Sequence, residues 1–250
     1  MMIAITMTCI LAIMAWIGLL NHLAYGFNTR LTLLINKNIT TIQIRRLFAL
    51  LLTYMNFRFA GEKNLVDALP DQYLILSNHQ SLLDIPLYMR FLDGTRLRYV
   101  AKAELGKNIP LVSLMLRSDR HCLLKRTGSP SELMKTLDVF SARVKKNNWI
   151  PVVFPEGTRS LDGNLGTFQA AGFRRILDKA PMPVALCALD GAWRISSLMG
   201  MATNMKNGFY RVKVLKIYPA PENKADQMHI LEEGKALIQE QLREWRQIKG

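Results

Sequence analysis

The sequence predicts one α/β domain carried on a membrane-binding helical segment at the N-terminus. Three observations predict it. From about Gly61 onward, apolar runs of strand length alternate with helical stretches, the texture of strands joined by helical crossovers. One of those helices opens on a full set of start signals. Upstream, the first charged side chain is Arg30, so Met1 to Phe27 form a run without Lys, Arg, Asp or Glu.

As a helix, Met1 to Phe27 would reach about 40 Å, enough to cross a bilayer core with tilt. A cleaved signal peptide wants a positive start and a shorter apolar stretch, so a retained anchor is expected. Arg30, Lys37, Arg45 and Arg46 follow the run and argue that the rest stays on the cytoplasmic face. In Thr40 to Phe59, a broad apolar stripe of Ile42, Ile44, Leu47, Phe48, Leu51, Leu52, Met55 and Phe59 is interrupted by Arg45, Arg46 and Arg58. That pattern suits a helix in the headgroup layer, its cations facing anionic lipid; a helix packed on the globular domain is the other reading. The expected division is 1–59 for membrane-anchoring helices and 60–250 for the α/β domain.

Within the domain, Tyr73 to Ser77, Leu97 to Ala101, Cys122 to Leu124, Trp149 to Phe154 and Val184 to Leu189 read as strands. The clearest helix start is Ser129-Pro130-Ser131-Glu132: Ser129 can cap, Pro130 suits the first turn, and Glu132 completes a capping box. Leu133, Leu137, Phe140 and Val144 then share one face, and Lys145 and Lys146 sit near the end where the helix dipole favours cations. Phe209 to Tyr218 alternates and reads as a half-exposed strand. Ala225 to Ile248 reads as a long charged amphipathic helix.

A chain of 250 residues can bury a full core without disulfide or metal staples. Its hydrophobic share is 50% and its mean hydropathy is +0.08, which suggests membrane contact. The net charge of +14 implies an anionic partner. No run interleaves bases with aromatics as single-strand binders do, so nucleic acid is not expected. Cys9, Cys122 and Cys187 form no CxxC pair and read as small buried hydrophobes in a reducing compartment.

Two stretches carry chemistry. Asn78-His79-Gln80-Ser81-Leu82-Leu83-Asp84 follows an apolar strand, which places the imidazole at the carboxyl edge of a sheet, where ligand crevices lie. Asp84, about one and a half helical turns on, can fold back to one ring nitrogen and leave the other free as a base. An alcohol needs that help before it becomes a nucleophile. Phe154-Pro155-Glu156-Gly157-Thr158-Arg159-Ser160 also follows an apolar strand. Its glycine allows close backbone approach, its arginine suits phosphate oxygens, and Thr158 and Ser160 add donors.

Together the two stretches resemble the glycerolipid acyltransferase family that includes lysophosphatidic acid acyltransferases, whose signature pairs His-x4-Asp with a downstream Phe-Pro-Glu-Gly-Thr-Arg. The resemblance implies a single acyltransferase domain with a mixed central sheet flanked by helices. It implies His79 as general base, Asp84 as its orienter, and Glu156, Gly157, Thr158 and Arg159 as the acceptor-binding element. Arg126 resembles the arginine of an intervening acceptor block, without the usual glycine and acidic residue before it. Lys102 is similar to a lysine often found after the first block. Leu186 stands where the last block usually has a second proline, and Gln169, Ala170 and Ala171 follow Phe168 where a basic pair is common. No cofactor and no metal are implied. The partners implied are an anionic phospholipid membrane, a lysophospholipid acceptor, and acyl-CoA or acyl carrier protein as donor. Other readings are the same chemistry on glycerol 3-phosphate, another lysophospholipid or a lyso-aminolipid, and a non-catalytic lipid-binding scaffold. His22, His121 and His229 read as packing or surface residues; Lys145-Lys146 and Arg174-Arg175 read as solvated faces.

Overall fold

The computed structural model describes residues 51–53, 55–92, 94–107, 116–117, 119–125, 128–196, 200 and 203–247, together with Trp16, Arg46 and Ala49. In chain order its elements are β1 (Arg58–Glu62), β2 (Leu74–Ser77), α1 (Asp84–Phe91), β3 (Leu97–Lys102), β4 (Cys122–Leu124), α2 (Pro130–Asn147), β5 (Ile150–Val153), α3 (Ala170–Lys179), β6 (Val184–Asp190), β7 (Phe209–Tyr218) and α4 (Lys224–Gln247).

The apolar runs join into one seven-stranded sheet of order β1-β7-β6-β2-β5-β3-β4. Only β6 and β7 pair antiparallel, so the sheet is mixed, as expected. β2 lies at its middle, buried on both faces, and reads as a continuous apolar run for that reason. Its side chains alternate between two cores. Leu74 and Leu76 meet Leu137, Phe140 and Val144 of α2, Phe173 and Ile176 of α3, and Ile230, Ile238 and Trp245 of α4. Ile75 meets Leu87, Tyr88 and Phe91 of α1 on the opposite face.

α2 begins as its sequence dictates. The Ser129 hydroxyl accepts from the Glu132 amide at 3.3 Å, and the Ser129 amide donates to the Glu132 carboxylate at 3.1 Å. It ends at Asn148, whose φ of 52° is left-handed.

The stripe read as one helix over Thr40 to Phe59 stops earlier. Asn56 has a left-handed φ of 47°, the Phe57 amide turns back to the Leu51 carbonyl at 3.0 Å, and Arg58 and Phe59 enter β1. The cause is tertiary: the Arg58 amide bonds the Gly208 carbonyl at 2.9 Å, and β1 then runs parallel to β7. The expected boundary at residue 60 therefore falls inside β1. Leu51 is buried in the α1-side core, whereas Leu52 is 55% exposed. The expected anchor at 1–27 lies outside the described residues apart from Trp16. Among the described residues, no helix is long and apolar enough to cross a membrane.

Candidate active site

Where β2 ends, the chain leaves the carboxyl edge of the sheet through a turn pinned by its own side chains. Asn78 acts as a surrogate strand residue: its amide nitrogen donates to the Leu189 carbonyl, and its oxygen accepts the Leu189 amide, each at 2.8 Å. Gln80 donates to Asp190 at 3.2 Å and accepts from the Ala192 amide at 3.2 Å. Ser81 donates to the Ile195 carbonyl at 3.0 Å. These bonds leave the His79 backbone one place to be.

Asp84 opens α1 and is wholly buried. Its Oδ2 lies 2.6 Å from His79 Nδ1 and also accepts the Gln80 amide at 2.8 Å. Its Oδ1 accepts the Ser81 amide at 2.9 Å and the Tyr210 hydroxyl. With every direction taken, the carboxylate cannot turn. Burial first, and the Asp84 charge next, push the Tyr210 phenol well above its ordinary range, so it stays a donor. The proton of a neutral imidazole held this way belongs on Nδ1, leaving the Nε2 lone pair outward. The ring also stacks on Phe154, with centroids 4.2 Å apart and planes within 11°. The His79 side chain is 19% exposed against 0% for Asp84, so the imidazole is reachable from solvent and the carboxylate that holds it is not.

The second stretch docks directly on the first. The Glu156 carboxylate accepts the His79 amide at 2.9 Å and the Gly166 amide at 2.7 Å, and the Ser160 amide donates to the His79 carbonyl at 2.8 Å. Burial raises the Glu156 carboxyl above its ordinary value, partly offset by those two amides. Glu156 is thus a brace between loops. Gly157 takes a left-handed φ of 65°, which glycine adopts without strain, and its amide closes the turn on the Phe154 carbonyl at 3.0 Å. Gly157 and Thr158 lie exposed on the rim. Arg159 is half-buried and donates to the Ser196 carbonyl. Among the described residues no carboxylate pairs with it, so its charge is uncompensated at the lip that carries His79.

Lys102 is exposed at the carboxyl end of β3, two strands from β2. Arg126 lies outside the described residues. Sequence reasoning missed Tyr210, Asn78 and Gln80, and also Arg246 of α4. Arg246 pairs with Asp190 at 2.9 Å and bonds the Gly163 carbonyl at 2.6 Å. Arg174 and Arg175, read as solvated, instead tie α3 to its neighbours. Arg175 holds Asp138 of α2 by two bonds of 2.5 Å, and Arg174 donates to Gln227 of α4 at 3.3 Å. Cys122 and Cys187 are buried, and burial pushes each thiol up to about 12.

Fold and site together set an oriented imidazole at the carboxyl edge of an α/β sheet, beside an arginine-bearing loop. The acyltransferase family model matches residues 56–189, more than half of the chain, and the chain belongs to that family. It is 33% identical over 128 residues to a 1-acyl-sn-glycerol-3-phosphate acyltransferase of Cocos nucifera, covering 50% of this chain and 40% of that one. It is 31% identical over 172 residues to a 1-acyl-sn-glycerol-3-phosphate acyltransferase of Chlamydomonas reinhardtii, covering 67% and 48%. The chain spans about two fifths to half the length of these curated relatives. In fold it resembles the crystal structure of PlsC, the 1-acyl-sn-glycerophosphate acyltransferase of Thermotoga maritima. That match has a TM-score of 0.62 at 20% identity and covers 92% of this chain and 95% of the other.

Proposed function

We propose that this chain is a membrane-associated O-acyltransferase. In this reading it moves a fatty acyl group from acyl-CoA or acyl carrier protein to the free hydroxyl of 1-acylglycerol 3-phosphate, giving phosphatidic acid. The observation that carries the reading is the imidazole held at 2.6 Å by Asp84 beside the Arg159 loop. The names of the matched relatives support the acceptor.

His79 Nε2 takes the acceptor's hydroxyl proton as its oxygen attacks the thioester carbonyl. Asp84 stabilises the resulting imidazolium. The tetrahedral intermediate collapses, the carbon–sulfur bond breaks, and the imidazolium returns its proton to the departing thiolate. Arg159 supplies charge for the acceptor's phosphate. Glu156 holds the loops together as a positioning residue. The charge of +14 supports residence on the anionic cytoplasmic leaflet.

The test is a panel of acceptors offered to the purified full chain with a labelled acyl thioester. 1-Acylglycerol 3-phosphate is expected to be acylated fastest among lysophospholipids, a lyso-aminolipid and glycerol 3-phosphate. A faster rival would move the acceptor and keep the chemistry. Thioester left intact with every acceptor would defeat the reading.

A further inference from the structure

The last turn of α4 reaches the site from beyond residues 56–189, which carry the family match. Arg246 donates from Nη2 to Asp190 Oδ1 at 2.9 Å and from Nε to Asp190 Oδ2 at 3.3 Å, a two-pronged grip on the residue that ends β6. Asp190 Oδ1 also accepts the Gln80 side chain at 3.2 Å, and the Gln80 amide donates to Asp84 Oδ2 at 2.8 Å. That oxygen is the one 2.6 Å from His79 Nδ1. Three hydrogen bonds thus lead from Arg246 to the carboxylate that directs the imidazole.

A second branch leaves the same guanidinium. Its Nη2 donates to the Gly163 carbonyl at 2.6 Å. The Gly163 amide donates to Ser160 Oγ at 2.9 Å, and the Ser160 amide donates to the His79 carbonyl at 2.8 Å. Ser160 directly follows Arg159, so this branch ends on the loop that carries the site's arginine. Gly163 has little room to move: its φ is 85°, and a Cβ there would lie 2.9 Å from Trp193 and 3.0 Å from Arg246 Nη2.

An exposed ion pair would contribute little. Here the Asp190 side chain is only 11% exposed. Without Arg246 it would keep Gln80 as its one side-chain donor among the described residues. A largely buried carboxylate left short of donors pulls its remaining donor toward itself. Gln80 would then shift, and with it the amide that helps to hold Asp84.

We propose that Arg246 is a positioning residue for acyl transfer. It acts through Asp190 and Gly163, and by gripping both it fixes the Arg159 loop relative to the His79 imidazole. The proposal deepens the acyl-transfer reading and rests on it.

Arg246→Met removes every donor and keeps an apolar stem, whereas Arg246→Lys keeps the charge and gives up the fork. Each is assayed as the full chain, well below its thermal midpoint. In Arg246→Met, kcat is expected to fall about tenfold or more and KM for 1-acylglycerol 3-phosphate to rise about threefold or more, with Arg246→Lys recovering part of both. Asp190→Asn lies on the same path, so adding it to Arg246→Met is expected to cost less than the product of the two single losses. The His79 imidazole nitrogen resonances, assigned by their absence from His79→Ala, are expected to move in Arg246→Met. Parental kcat and KM with only a lower thermal midpoint would overturn the proposal and leave a structural tie. So would imidazole resonances unchanged from the parent, or losses that multiply in the double variant. If Arg246→Met does not fold, Arg246→Lys is read against the parent by the same rates and resonances. If the parent transfers no acyl group to any acceptor, the acyl-transfer reading fails, and the resonances still decide whether Arg246 positions His79.

Discussion

Asp84 never meets water, yet it gives His79 its direction. Its pairing with His79 was legible because both belong to one turn and lie five residues apart. Tyr210 was not: it reaches Asp84 from β7, 126 residues downstream, and a hydrogen bond across a sheet leaves no local pattern. Its only trace is an inward place in the alternation of Tyr210, Val212 and Val214. The brace made by Glu156 was equally hidden, since its partners are backbone amides, which have no residue identity. Tyr210→Phe removes one charge-assisted bond from a buried carboxylate, costing about 2 kcal/mol of stability. Its kcat is expected to fall about tenfold with KM held, because the residue acts on orientation and touches no substrate. Steady-state kinetics with the folded variant would read that split, and a change in KM alone would reject the positioning role.

At the scale of elements, the helix start at Ser129 and the strand at Phe209–Tyr218 were readable because capping chemistry and alternation are local. β1 was not, because its five residues show no apolar alternation and become a strand only by pairing with β7. Ser129→Ala is expected to cost about 1 kcal/mol, lowering the thermal midpoint by about 2–4 °C. Differential scanning calorimetry would measure it. The α2–α3 tie has a pH signature. Arg175 holds the Asp138 carboxyl below its ordinary 3.8. A carboxylate lowered in the folded state contributes stability above the unfolded value and loses it as pH falls through the folded one. Arg175→Ala is therefore expected to melt below the parent at neutral pH, with the gap closing only below pH 3.8. A gap independent of pH would point to lost packing instead.

Across the whole molecule, the sheet order puts β2 at the centre and sends its carboxyl end to the lip where both motif loops meet. The α/β class was legible from alternating texture. The antiparallel pairing of β6 with β7 was not, since nothing local in either strand states its direction. Charge is also a property of the whole: a net +14 should steer the chain to anionic vesicles. Stopped-flow association is expected to be faster on anionic than on neutral vesicles, and to slow as salt shortens the screening length. Identical rates on both would remove electrostatics from the membrane reading.

All of this comes to bear on one nitrogen, the outward Nε2 of His79. Acyl transfer to 1-acylglycerol 3-phosphate should be followed in single turnover with parent and His79→Ala, each shown by circular dichroism to be folded. A loss of about 10²-fold to 10⁴-fold in the transfer rate, with acceptor binding retained, is the expected result. Transfer at the parental rate by a folded His79→Ala protein would refute it.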